Sequence, residues 1–166
     1  MHDLILLKEG EVVLKGMNKK YFEQKLAQNI RRRLKRYGAF RVNVQQSIIY
    51  VEPLDELADV DGAFETLQNV FGIMTLSRAV ACEKDKDVIV RTAMEYLDEE
   101  LRSVKTFKVE SKRGDKGFPM TSIELSQYVG GEINEAYPNL TADMHNPDLI
   151  VHLEVRDQAA YVHGAP

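Results

Sequence analysis

Little in this 166-residue chain suits disulfide, metal or membrane chemistry. Its one cysteine, Cys82, has no internal partner for a disulfide. It sits in the apolar run Ala79-Val80-Ala81-Cys82, where an inert buried thiol is expected. Zinc-type cysteine spacing is therefore absent. His145 and His152 stand seven apart with no His or Cys at ligand spacing, so no metal is expected. No stretch approaches the roughly 18 apolar residues of a membrane-crossing helix. The start, Met1-His2-Asp3-Leu4-Ile5-Leu6-Leu7, lacks the basic opening and small-residue cleavage site of a signal peptide. A cytoplasmic protein without membrane contact is expected. Gly10 to Gly16 is glycine-bounded, yet Met17 follows where a Walker A loop needs Lys and Ser or Thr. There is no Gly-x-Ser-x-Gly elbow and no nucleophile–base pair, so no catalytic residue is assigned.

What is present is ordinary globular composition, 44% apolar and 29% charged. The 22 Lys and Arg against 26 Asp and Glu leave a net charge of −4. That total hides its distribution. Lys8 to Arg41 holds eleven basic side chains against Glu9, Glu11 and Glu23, a net +8, and the remainder carries −12. Within the remainder, Lys105 to Lys116 is an island of +3. A charge run can be merely a solvated helix face. Its functional reading is phosphate contact, with counterion release driving a salt-dependent affinity. Lys8, Lys15, Lys19 and Lys20 lie near a helix start, where backbone N–H groups favour anions.

Hydrophobic patterning divides the chain in two. Leu4–Leu7 reads as a buried strand. A helix from Asn18 to Tyr37 carries Phe22, Leu26, Ile30, Leu34 and Tyr37 inward, with Asn18 as N-cap and Gly38 closing it. Strands follow at Phe40–Val44 and Ile48–Val51, then a helix from about Leu57 to Val70 closed by Gly72, then a strand over Ile73–Cys82. This β-α-β-β-α-β order is the ferredoxin-like pattern and predicts a domain over 1–82. Residues 83–166 read α-β-α-β-β. Asp85 or Asp87 caps a helix through Leu101, and Thr106–Glu110 is a strand. Lys112 to Pro119 is a loop, and Thr121 or Ser122 opens a helix that Pro138 ends. Strands follow at Leu149–Val155 and Ala159–Val162. The fold class is α+β. The paired glycines Gly130 and Gly131 fall inside the helix and permit close packing or close approach of a ligand. The ending Gly164-Ala165-Pro166 comes abruptly after a strand, as in a fragment.

Several segments together resemble one family. Glu11-Val12-Val13-Leu14-Lys15-Gly16-Met17-Asn18-Lys19-Lys20-Tyr21-Phe22 resembles the opening signature of the tRNA 4-thiouridine synthetases, or thiamine biosynthesis sulfurtransferases, with Lys19 in place of the common Arg. Val70-Phe71-Gly72-Ile73, Phe118-Pro119-Met120 and Gly130-Gly131 match in order. So does His145-Asn146-Pro147-Asp148 with the strand after it, the most recognisable stretch of a THUMP domain. The resemblance implies a ferredoxin-like domain followed by THUMP, the region that holds the 3′ acceptor end of tRNA. In the family an ATP-pyrophosphatase domain then activates uridine with ATP and magnesium, and a cysteine desulfurase supplies sulfur. The Ser-Gly-Gly-x-Asp-Ser loop of that domain does not occur here, so no cofactor and no catalysis are expected of these residues. A homodimer is a further implication of the resemblance.

Combining resemblance and chemistry, the expected RNA contacts are Lys8, Lys15, Lys19, Lys20, Lys112, Arg113, Lys116, Phe118 as a stacking ring, and Asn146 as a base or sugar contact. Phe118 can instead be core, and Asn146-Pro147-Asp148 can be a plain turn into a strand. Two other functions stay open: the RNA-binding region of another THUMP tRNA-modifying enzyme, and a ferredoxin-like module for a small ligand or protein partner.

Overall fold

The computed structural model describes residues 2–10, 18–70 and 73–164. The chain folds as two compact units that meet between Arg78 and Ala79 in the sequence.

The N-terminal unit contains β1 (His2–Glu9), α1 (Lys19–Leu34) with a 3-10 turn (Lys35–Tyr37), and β2 (Phe40–Gln45). It continues with β3 (Ile48–Pro53), α2 (Val60–Leu67) and the first part of β4 (Ile73–Cys82). Strand order β2-β3-β1-β4 is the ferredoxin-like arrangement expected from the sequence, and β3 pairs antiparallel with both its neighbours. Ile5 and Leu7 of β1 meet Ile30 and Leu34 of α1 and Leu67 of α2 in its core. The β2–β3 hairpin turns on Gln46 and Ser47, both at positive φ (50° and 68°), which matches the two-residue turn whose twist suits paired strands. Gly38 at φ 122° lets the chain leave the 3-10 turn sharply.

Three local expectations change. Asn18 precedes α1 but its side chain makes no capping hydrogen bond. Phe22 is 49% exposed, whereas Leu26, Ala27, Ile30 and Leu34 are buried. The reason is geometric. Residues four apart advance about 40° around a helix, so Phe22 and Leu34 differ by about 120° and one buried stripe cannot hold both. Helix α2 begins later than expected because Asp59 is its cap, accepting from the Gly62 N–H at 3.0 Å. Gly72 lies outside the described residues.

The C-terminal unit takes the end of β4, α3 (Lys86–Tyr96), α4 (Asp98–Ser103), β5 (Thr106–Arg113), α5 (Ser122–Ala136), β6 (Thr141–Ala142), β7 (Leu149–Val155) and β8 (Ala160–His163). Its strands run β4-β8-β7-β5-β6, with β5 parallel to β7 and to β6. Phe107, Val109, Leu125, Val129, Ile133 and Val151 are central to its core. Asp85 caps α3 by accepting from the Asp87 and Val88 N–H groups. The predicted single helix breaks at Leu97 into α3 and α4. Thr121 and Glu124 form a reciprocal capping box at α5. Strand β5 runs three residues further than expected. Lys112 and Arg113 therefore lie on a strand, opposite Glu154 and Val155, and not in a loop. Cys82 is half-buried, and burial raises its thiol pKa, as an inert thiol requires.

Candidate nucleic-acid interface

The loop after β5 is built around Asp115. The Gly114 and Asp115 N–H groups donate to the Val155 carbonyl at 2.7 and 3.1 Å, closing the chain back onto β7. The Asp115 carboxylate accepts from the Gly117 N–H at 2.9 Å and pairs with Lys84 at 2.6 Å. The Lys84 hydrogen bond, followed by that of Gly117, holds the Asp115 carboxyl below its ordinary range, so it stays ionised. Arg113 reaches across the loop to the Phe118 carbonyl, a long 3.4 Å contact.

Six cations lie on this loop or on the segments that border it: Lys84, Lys86, Lys112, Arg113, Lys116 and Arg156, with Lys112 and Arg113, neighbours on β5, turned to opposite faces of the sheet. Lys84 also donates to the Asp157 carbonyl at 2.8 Å. Arg156 pairs with Glu154 at 2.5 Å and lies close enough to Gly114 that a Cβ there would sit 2.8 Å from its guanidinium. Lys86 and Lys84 line a hollow with Phe118, Pro119 and Met120. Lys84 and Arg113 are thus engaged in holding the loop and Arg156 is paired with Glu154, while Lys112 and Lys116 stand exposed. Lys84, Lys86 and Arg156 were not among the sequence candidates, because only the chain's return through β4 and β7 brings them here.

Phe118 is not a stacking ring. It is 5% exposed and belongs to the core of the C-terminal unit, so its ring is spent on packing and only its margin borders the hollow. Asn146 is exposed, but it lies at the other end of the strands. It precedes β7, whereas the loop leaves the far end of β5. At about 3.3 Å per residue over a strand the length of β5, the two are on the order of 20 Å apart. A single nucleotide cannot touch both.

The Asn146 turn is well made. Asp143 accepts from the His145 and Asn146 N–H groups, each at 3.0 Å. Asp148 accepts from the Lys105 and Thr106 N–H groups at 3.1 Å, and these bonds hold its carboxyl below the ordinary range. Asp148→Ala is expected to speed hydrogen exchange at the Lys105 and Thr106 amides while exchange in α5 stays unchanged, as NMR would show. Beside this turn is a cleft of about 600 Å³ between β5 and α5, lined by Lys108, Gln127, Gly130, Gly131, Asn134 and Met144, among others. A Cβ at Gly131 would meet nothing within 4 Å, so that glycine borders open space.

In the N-terminal unit the expected cluster is only partly available. Lys8 is half-buried on β1. Lys15 lies outside the described residues. Lys19 is half-buried and acts on Glu9, lowering that carboxyl's pKa against stronger opposing effects. Lys20 is exposed and borders a groove between α1 and β2. Among the described residues no group of three His, Cys, Asp or Glu could hold a metal ion, and no helix is long and apolar enough to cross a membrane.

Residues 4–77 match the model of the ThiI ferredoxin-like domain, and residues 83–163 that of the THUMP domain. A protein of Alkaliphilus oremlandii named "Probable tRNA sulfurtransferase" is 40% identical over 162 residues, 96% of this chain and 41% of the relative. One of the same name from Acetivibrio thermocellus is 41% identical over 159 residues, covering 95% and 41%. The chain thus spans about two fifths of the length of the curated relatives it matches. Among solved structures, a 4-thiouridine synthetase–RNA complex with bound ATP aligns with a TM-score of 0.80 at 26% identity, over 99% of this chain and 41% of that one. PH1313 from Pyrococcus horikoshii aligns with a TM-score of 0.84 at 26% identity, over 98% and 53%. TrmN from Thermus thermophilus, at 17% identity and a TM-score of 0.62, shares the fold.

Proposed function

Because the chain belongs to the family that joins a ThiI ferredoxin-like domain to a THUMP domain, we propose that it is the tRNA-binding region of a tRNA sulfurtransferase. Its C-terminal unit receives the 3′ acceptor end. The observation that carries this reading is the concentration of basic residues on and next to the Gly114–Pro119 loop, braced by Lys84 and Arg113, in a domain whose structural relative was solved with RNA. Lys112 and Lys116 supply exposed charge for phosphates. Lys84 and Arg113 brace the loop that carries Lys116, and Lys112 lies on the strand that leads into it. Asn146 belongs to a separate contact at the other end of β7, next to the β5–α5 cleft.

The whole protein, in this reading, thiolates a tRNA uridine with ATP and magnesium, takes sulfur from a cysteine desulfurase and serves thiamine biosynthesis as well. It works in the cytoplasm as a homodimer laid along one tRNA. None of that chemistry is assigned to the described residues. The Ser-Gly-Gly-x-Asp-Ser string of the pyrophosphatase loop does not occur in this sequence.

Filter binding with intact tRNA and with tRNA lacking its 3′ CCA tests the assignment. Intact tRNA is expected to bind more tightly, and equal affinity rejects the acceptor-end role. Lys112→Ala and Lys116→Ala are each expected to reduce the salt slope of log affinity by about 0.7–0.9, one phosphate contact apiece. An unchanged slope in both variants moves the phosphate site elsewhere.

A further inference from the structure

The first turns of α1 display two aromatic rings that neither the core nor the acceptor-end site uses. Tyr21 is 56% and Phe22 49% exposed. Their rings meet edge to face, centroids 6.0 Å apart and planes at 75°, and the Lys25 ammonium lies 5.6 Å from the Tyr21 centroid. Two large rings left side by side in water forgo the burial that aromatic side chains normally obtain, and such a patch marks a surface that a partner covers.

The surrounding charge says which partner. Helix α1 bears Lys19, Lys20, Lys25, Arg31, Arg32 and Arg33 against the single acid Glu23. Lysine is depleted from the centres of protein–protein interfaces, whereas a cationic surface interleaved with aromatic rings is the composition that single-stranded nucleic acid selects. The ground beside the rings agrees. The groove between α1 and the edge strand β2, about 560 Å³, is lined by Lys20, Gln24, Gln28, Arg31 and Asn43, together with Glu23. Amides there can address base edges and cations can address phosphates. Arg31 is steadied by donating to the Val42 carbonyl at 3.0 Å.

We propose that Tyr21 and Phe22 form a stacking platform for an unpaired nucleobase of bound RNA, with Lys20 and Lys25 on the flanking phosphates. This rests on the RNA-binding reading above and adds to it a second contact, on the other domain. Every base has a π face, so the platform tolerates any sequence. A ring contact carries no charge and a lysine contact does. Removing the rings therefore weakens binding at every salt concentration and leaves the slope unchanged, whereas removing a lysine lowers the slope.

The chain has no tryptophan, so Phe22→Trp creates a single fluorescent reporter on an exposed helix position. Titration with a single-stranded oligouridylate is expected to quench it strongly, and a fully paired RNA hairpin of equal charge to quench it little. Equal quenching by both, or none by the single strand, overturns the platform. The double variant Tyr21→Ala, Phe22→Ala is expected to bind the oligouridylate about five- to a hundredfold more weakly with an unchanged salt slope. Unchanged affinity overturns the proposal, and a simultaneous change in sedimentation would make the patch a surface between copies of the chain. Discrimination for the 3′ CCA reads the C-terminal unit separately. CCA discrimination without quenching rejects the platform and leaves the acceptor-end role standing, whereas quenching without CCA discrimination does the reverse.

Discussion

Phe118→Ala is expected to destabilise the C-terminal unit by about 3–5 kcal/mol, the usual cost of emptying a buried phenylalanine site. The ring is 5% exposed and packs into the core that also holds Phe107, Leu125 and Val155. Its backbone is fixed from two sides, by the Phe118 N–H donating to the Asp115 carbonyl at 3.2 Å and by Arg113 on its own carbonyl. The loop therefore cannot collapse freely into the space the ring leaves. Phe118→Leu separates this account from a stacking role. Leucine keeps most of the apolar volume and is expected to retain tRNA affinity at low temperature with a modest drop in the urea midpoint. A stacking residue would behave in the opposite way, losing affinity with stability intact. Full affinity loss in a stable Phe118→Leu protein would return the ring to the RNA surface.

Much of the fold is local and can be read from the chain. Gly38 after the basic helix, Asp85 before α3 and the Thr121–Glu124 box each act within a few residues, and each does what its residue type predicts. The ferredoxin-like order follows from the alternation of strand and helix patterns. Strand β6 has two residues, too few for any periodicity to register. Phe22 shows a subtler failure. Its spacing from Leu26 is correct for a helix, but the drift of repeated fours turns it off the buried face. The candidate site was legible only in part, for a reason of distance. Lys112, Arg113 and Lys116 are close in sequence, but β5 runs through the first two and turns them to opposite faces. Lys84 reaches them through Asp115, 31 residues away, and the Asp157 carbonyl, and Arg156 through the pairing of β7 with β5 and the Gly114 and Asp115 N–H bonds to the Val155 carbonyl. Asn146 and Phe118 carry family-like signatures, but a signature does not say whether a ring faces water or which end of a strand a turn occupies.

The second large expected effect is a pH-dependent stability in the N-terminal unit. Glu9 ends β1 at 3% exposure. Glu23 and Ser47 approach it, but among the described residues neither completes a hydrogen bond of ordinary geometry to its buried carboxylate oxygens. Burial first, and then Glu23, push its carboxyl up from 4.5 to about 7, with Lys19 and Ser47 opposing. A carboxyl raised in the folded state takes up a proton on folding at pH values between these two figures. Its penalty is absent below about 4.5, grows as pH rises and is complete above about 7. At 1.36 kcal/mol per pKa unit this amounts to about 3 kcal/mol. Glu9→Gln keeps the shape and removes the titration. Urea melts are expected to show the variant about 3 kcal/mol more stable than the parent at about pH 8 and nearly equal to it at about pH 5. A difference that does not change between those pH values would mean that Glu9 is already neutralised by another group. Glu23→Gln refines the assignment. Because burial outranks Glu23 among the causes, removing Glu23 should narrow the pH window without closing it. The first turn of α1 would then carry a cost that Lys19 only partly offsets, beside the basic helix face and rings proposed to meet RNA.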